Sequence, residues 1–311
     1  MQDFISEELY KSLRNQYQVE KLDDGQLLYH YTSLQGLSGI LTSKVFFATE
    51  GQFLNDSSEL KYIKRIINMS IDKVEGDLNP ELIKEIRWFN NKVEWLANKK
   101  VYVLSLSENS DSLILWSNYS KHDGYNIGIN PFDLEKVFFS ETQEFREINL
   151  EQGDTVWLDH GKVIYDFSKQ IRIISDELCN LNTLYNKLGR PLQSISEISI
   201  SFFYRMLFYS AFFKDAGFGD ECEYRIAVTS NKYFSCSEDG RGGFREVHGC
   251  LLPYFKIPVQ SKNATDISPI KEIGIGPKNN LNIAEIGLEL FINEFGFNEV
   301  RIKKSAIPLR Y

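Results

Sequence analysis

Three short segments carry side chains whose types and spacing suit work on a sugar. Leu28-Tyr29-His30-Tyr31-Thr32-Ser33 places a histidine among hydroxyls at the end of an apolar-aromatic run. Such a histidine is either a strand residue satisfied by a nearby backbone group or a donor to a ribose hydroxyl, with Thr32 alongside. In the second segment, Trp116 to Gly128, Trp116 and Tyr119 stand three apart on a short predicted helix and share a face. Aromatics at that spacing either fill a core or form the flat wall on which a nicotinamide or nucleobase stacks. The third runs from Lys214 to Arg225. If a strand begins at Glu221, period-2 alternation puts Glu221, Glu223 and Arg225 on one face. Two carboxylates and a guanidinium are either a structural ion-pair cluster or a working carboxylate tuned by its neighbours. Gly217 and Gly219 upstream would make a loop against that site.

The elements needed to position these groups are legible in outline. Ser6 to about Tyr17 reads as a helix, and Leu27 to Tyr31 as a strand rich in residues that suit a pleated surface. Thr32 or Ser33 then caps a short helix bearing Leu34, Leu37, Ile40 and Leu41, and a strand follows at Val45 to Thr49. Asp56 and Glu59 form a capping box for a helix to about Val74. A further helix is predicted from Pro80 to about Asn98, with Trp88 and Trp95 on one face, then a buried strand from Val101 to Leu106. Long amphipathic helices are expected at Phe167 to Leu188 and Ser194 to Lys214, after a linkage at Glu151 to Gly161. Strands return at Tyr224 to Thr229, Phe244 to His248, Leu251 to Val259 and Ile270 to Ile275. A helix at Ile283 to Phe295 and a strand at Glu299 to Lys303 complete the pattern. The irregular mixture predicts an α+β fold rather than a doubly wound sheet. Residues 1–26 read as an N-terminal helical appendage and 27–311 as one domain with a helical insert at about 167–214.

Bulk properties narrow the functions available. A net charge of -8 gives no basic footprint, so affinity driven by phosphate neutralisation is not expected and nucleic acid would enter only as an acceptor. The aromatic content, 22 Phe and 16 Tyr, is that of a folded chain rather than a disordered one. Met1-Gln2-Asp3-Phe4 lacks a basic region followed by an apolar core, and no stretch approaches roughly 18 uninterrupted apolar residues. Cys179, Cys222, Cys236 and Cys250 show no CxxC spacing, and His30, His122, His160 and His248 are scattered. No metal site, no membrane partner and a cytoplasmic location are therefore expected. Neither GxGxxG nor GxxxxGK[ST] follows a predicted strand, which argues against Rossmann and P-loop folds.

Taken together, LLYHYTS, FLNDSSE, ILWSNYSKHDGYNIGI, ECEYRI, IGIGPKN and KSAIPLR resemble a large bacterial family known only as a domain of unknown function. That family in turn resembles the ADP-ribosyltransferases of the H-Y-E class. The resemblance implies a split β-sheet core with helical insertions, and cleavage of the nicotinamide-ribose bond of NAD as substrate. Carried over by position, His30 matches the histidine, Glu223 the glutamate and Tyr119 the tyrosine, with Tyr125 as the alternative. Glu221-Cys222-Glu223 has the form of a Glu-x-Glu element. The implied catalytic set is Glu223, His30 and Tyr119. The implied NAD-binding set is His30, Thr32, Trp116, Tyr119, Tyr125, Glu221 and Arg225. One departure is His-Tyr-Thr where many transferases have His-Gly-Thr. The implied role is an ADP-ribosyltransferase or NAD glycohydrolase in toxin or phage-defence biology, its acceptor unspecified. The rival reading is a non-catalytic nucleotide- or protein-binding module in which Glu223 only pairs with a basic neighbour.

Overall fold

The computed structural model describes residues 17–54, 59–92, 100–141, 156–189, 192–230, 240–247, 249–263, 265–279 and 282–309. The expected helix from Ser6, the Asp56 side of the capping box, Trp95 and His248 lie outside the described residues. Ten strands form one sheet: β1 Leu28–Thr32, β2 Val45–Glu50, β3 Lys100–Ser107, β4 Tyr125–Ile129, β5 Val156–Lys162, β6 Glu223–Ser230, β7 Gly242–Val247, β8 Cys250–Pro258, β9 Ile270–Ile275 and β10 Arg301–Lys304. The α-helices are α1 Leu34–Ser43, α2 Glu59–Val74, α3 Pro80–Asn91, α4 Leu113–Ser120, α5 Pro131–Glu141, α6 Phe167–Lys187, α7 Leu192–Ser210 and α8 Asn282–Glu294. The fold is mixed α and β with a mostly antiparallel open sheet, β10 alone pairing in parallel with its neighbour β9 among the described strands.

β3 organises the sheet. Along one edge it pairs with β6 at every residue from Lys100↔Ser230 to Ser107↔Glu223. Its other edge is shared: β2 pairs near one end, at Thr49↔Val103 and Glu50↔Tyr102, and β1 at the other, at Tyr29↔Ser107. Between them Leu104 to Leu106 has no strand partner on that edge, so the sheet parts. One arm continues β1-β4-β9-β10 and the other β2-β8-β7.

Alternation along β3 and β6 then sends apolar side chains to both faces. Tyr102, Leu104, Tyr224 and Ile226 pack with Leu41 of α1, Phe138 of α5 and Leu288 of α8. Val101, Val103 and Ala227 pack on the opposite face with α2, α3, α6 and α7. The stretch expected as a helical insert, 167–214, thus covers one face of the sheet together with α2 and α3.

Local chemistry explains several boundaries. Ser33 rather than Thr32 caps α1, its hydroxyl accepting from the Gly36 amide at 3.2 Å. Asn79 caps α3 with Pro80 at its first position, and Asp166 caps α6 by accepting from the Lys169 amide at 2.9 Å. After α4 the chain returns through Gly124, where a Cβ would stand 2.3 Å from the Thr32 carbonyl oxygen, so only glycine lets this turn approach β1.

The structure corrects several expectations. β4 and α5 were not foreseen. The linkage at Glu151 to Gly161 contains the start of β5, which pairs with β6 from Val156↔Ser230 to Lys162↔Tyr224. The α3 helix ends at Asn91, where Lys92 leaves helical geometry, and the rest of the helix expected to about Asn98 lies outside the described residues. Glu221 ends a short 3-10 turn, Ala216–Glu221, and the strand starts at Glu223, after Cys222 in a left-handed conformation at φ 44°.

Candidate functional site

The parted edge of β3 opens into a cleft of about 1030 Å³. Its lining includes His30 and Thr32 from β1, Thr49 from β2, Ser105 from β3, Tyr119 from α4, Glu221, Glu223 and Arg225. Lys214 and Arg245 add charge on the β6 and β7 sides, and Lys121 and Asp123 do so from the turn after α4. Because Tyr29 pairs with Ser107 and Ser107 with Glu223, strand alternation assigns His30 and Glu223 to opposite faces of the sheet. They reach one cleft because the sheet is open between β1 and β2.

His30 is fixed by the gap itself. Its Nδ1 lies 3.1 Å from the Ser105 carbonyl, an oxygen that can only accept, so the proton sits on Nδ1. Burial pushes its pKa down to about 4, with the Arg245 charge adding to the effect against the Ser105 bond. The imidazole is therefore neutral and its Nε2 is an acceptor. The ring thus offers the cleft an acceptor at Nε2 rather than the donor expected from the sequence.

The carboxylates sit in a compact four-charge cluster. Glu223, 6% exposed, accepts from Arg225 Nε at 2.8 Å, Arg225 Nη2 at 3.0 Å and Lys214 Nζ at 3.0 Å. Its backbone amide donates to the Tyr165 hydroxyl at 3.1 Å. Burial disfavours its charge, yet the Arg225 and Lys214 cations prevail and bring the carboxyl down to about 2. Burial also opposes the Lys214 charge, but Glu223 and Glu221 hold its pKa above the usual lysine range. Glu221 takes Lys214 Nζ at 2.7 Å and, through its other oxygen, the Tyr119 hydroxyl at 3.2 Å. Arg225 is anchored further by donating to the Ala211 carbonyl at 2.8 Å.

The predicted residues do not all meet. His30, Thr32, Tyr119, Glu221, Glu223 and Arg225 share the cleft, although Glu221 does so from the 3-10 turn and not from a strand. Trp116 does not line it. At 1% exposure it packs edge-on against Tyr31 at 4.7 Å, and its indole N–H donates to Asp111 at 2.7 Å, so it is a core residue and not a stacking wall. Tyr125 is likewise buried in the sheet core, its hydroxyl accepting from Asn279 Nδ2 at 3.0 Å. Tyr119, 40% exposed, is the aromatic that α4 presents to the cleft.

Arg245 was missed. It lies on β7 opposite Leu252 of β8, and only the folded sheet brings this distant strand to the cleft wall beside His30 and Thr49. A single arginine on a predicted strand carries no sequence signal of that placement.

Among the described residues no group of three or more His, Cys, Asp or Glu side chains is arranged to hold a metal ion. Nor is any described helix long and apolar enough to cross a membrane.

A family described as a protein of unknown function, DUF2971, matches residues 115–226. The likeness to a domain of unknown function thus holds over that stretch, which contains Tyr119 and the Glu221–Arg225 cluster but not His30 or Arg245. The match carries no link to the ADP-ribosyltransferases. No curated protein and no solved structure matches the chain.

Proposed function

We propose that the cleft binds NAD as substrate and cleaves its nicotinamide-ribose bond, as an ADP-ribosyltransferase or NAD glycohydrolase. The observation that carries this reading is the convergence of His30, Tyr119 and Glu223, from three separate elements, on one open cleft of dinucleotide size. In the reaction the C1′–N bond breaks, nicotinamide leaves with the bonding pair, and the ribose passes through an oxocarbenium-like state. The acceptor then bonds to C1′ and loses a proton; it is water in the hydrolase and an acceptor of unassigned class in the transferase. A carboxyl with a pKa of about 2 stays ionised throughout, which suits Glu223 to stabilising developing positive charge rather than to donating a proton. Neutral His30 would accept from a ribose hydroxyl, and Tyr119 would cover the nicotinamide ring. The split of the sheet at β3 is in keeping with an ADP-ribosyltransferase-like core.

One observation favours a second reading, a non-catalytic nucleotide- or protein-binding module. Lys214 and Arg225 already occupy both oxygens of Glu223, so its charge is spent within the protein. Incubation of the full chain with NAD, followed by assay of free nicotinamide, separates the two. The enzyme releases nicotinamide, and Glu223→Gln lowers the rate by about 100-fold or more while the variant still melts cooperatively. No release by the wild type, with cell lysate supplied as acceptor, leaves the binding module.

A further inference from the structure

Apart from Lys121 and Asp123, one cation and one carboxylate exposed at the turn after α4, the charges in the cleft wall do not balance. Lys214 and Arg225 are matched by Glu221 and Glu223, all four within hydrogen-bonding distance of one another in a chain. Arg245 has no such match. Among the described residues, no carboxylate pairs with it, and its one hydrogen bond, from Nη2 to the Thr49 hydroxyl at 2.6 Å, is to a neutral group. Its Nε is shielded from solvent and bonded to nothing. A guanidinium half-withdrawn from water with an unmet donor costs free energy, and burial accordingly pushes its pKa down. The neighbouring imidazole of His30 is neutral and offers no counter-charge, and the Thr49 bond holds the fork in place. A cation kept oriented, desolvated and uncompensated in a ligand-sized cleft is arranged for an anion that arrives with the ligand.

We infer that Arg245 is the phosphate-binding residue of this cleft, its free guanidinium edge taking an oxygen of the ligand's phosphoanhydride. That the phosphoanhydride belongs to NAD rests on the function proposed above; that Arg245 binds a phosphate does not. The arrangement also orders the cleft: the phosphates lie at the β7 side and the ribose to be cleaved lies toward Glu223.

Inorganic pyrophosphate is the probe, titrated calorimetrically into the full-length wild type, Arg245→Gln and Arg245→Lys, with melting temperatures measured alongside. The wild type binds pyrophosphate, Arg245→Gln binds it about tenfold or more weakly, and Arg245→Lys recovers part of the loss by restoring charge without the fork. Relief of an uncompensated charge makes Arg245→Gln, without ligand, melt no lower than the wild type. Equal affinity in wild type and Arg245→Gln, absence of pyrophosphate binding by the wild type, or a lower melting temperature for Arg245→Gln overturns the inference. Pyrophosphate binding that depends on Arg245, in a protein that releases no nicotinamide from NAD, upholds this inference and overturns the enzymatic reading alone.

Discussion

Glu223 gains its low pKa from two cations held at 2.8 to 3.0 Å, and the same contacts tie the stability of the fold to pH. Its folded pKa of about 2 lies below the value of 4.5 expected for an unperturbed glutamate. The unfolded chain therefore takes up a proton first on acidification. The stabilisation is fully present above pH 4.5 and is lost as pH falls toward 2, amounting to about 3 kcal/mol by linkage. Denaturant unfolding between pH 6 and 2 should show this loss in the wild type and a clearly shallower one in Glu223→Gln. Equal slopes would show that Glu223 is not the group responsible. Much of this cluster was legible, since Lys214, Glu221, Glu223 and Arg225 lie within one short segment. The choice between catalytic carboxylate and ion pair was not, because it depends on which oxygens remain open to a ligand. The partition of Trp116 from Tyr119 was equally hidden. Helical spacing puts both near one face, and only the packing of Tyr31 and Asp111 decides which ring is buried.

At the scale of elements, the loop between β3 and α4 holds the C-terminal segment in place. Asp111 Oδ1 accepts from Trp116 Nε1 and the Ser305 hydroxyl, both at 2.7 Å, and Oδ2 accepts from the Ala306 amide at 2.8 Å. This gives KSAIPLR, read in the sequence only as a motif, a structural role: its Ser305 and Ala306 are clamped beside the helix that presents Tyr119. Asp111→Ala leaves a buried indole N–H and the tail amide without partners, with an expected cost of about 2 kcal/mol. Hydrogen exchange at Ala306 should quicken in that variant, and unchanged exchange would rule out the clamp. A strand with an unbroken apolar run was found in the sequence, Val45-Phe46-Phe47-Ala48 at the start of β2. β4 and β5 escaped notice for a shared reason. Asn126 and Gly128 break the pattern in one, and Asp159, His160 and Gly161 in the other. Their polar residues are met by partners distant in sequence: Asn126 Oδ1 accepts from the Gly274 amide, and His160 meets the Tyr224 hydroxyl.

Across the whole molecule, two apolar layers share β3 and β6, whose alternate residues belong to one layer and then the other. Neither layer can lose its packing without stripping one face of the strands that support its counterpart. Urea unfolding should therefore give coincident midpoints by far-ultraviolet circular dichroism and tryptophan fluorescence. Two separated midpoints would mean that the layers melt independently. Those strands also fix the mechanics of the sheet. Its two arms are bonded to β3 across one register pair on the β1 side and two on the β2 side, whereas β6 is bonded along the full length of β3. Considered as an elastic body, the molecule is stiff along the β3–β6 spine and compliant where the arms diverge. The softest coordinate of the sheet is thus the spacing between His30 and Thr49, and a ligand bridging the arms would act as a tie rod, stiffening the fold across its weakest line.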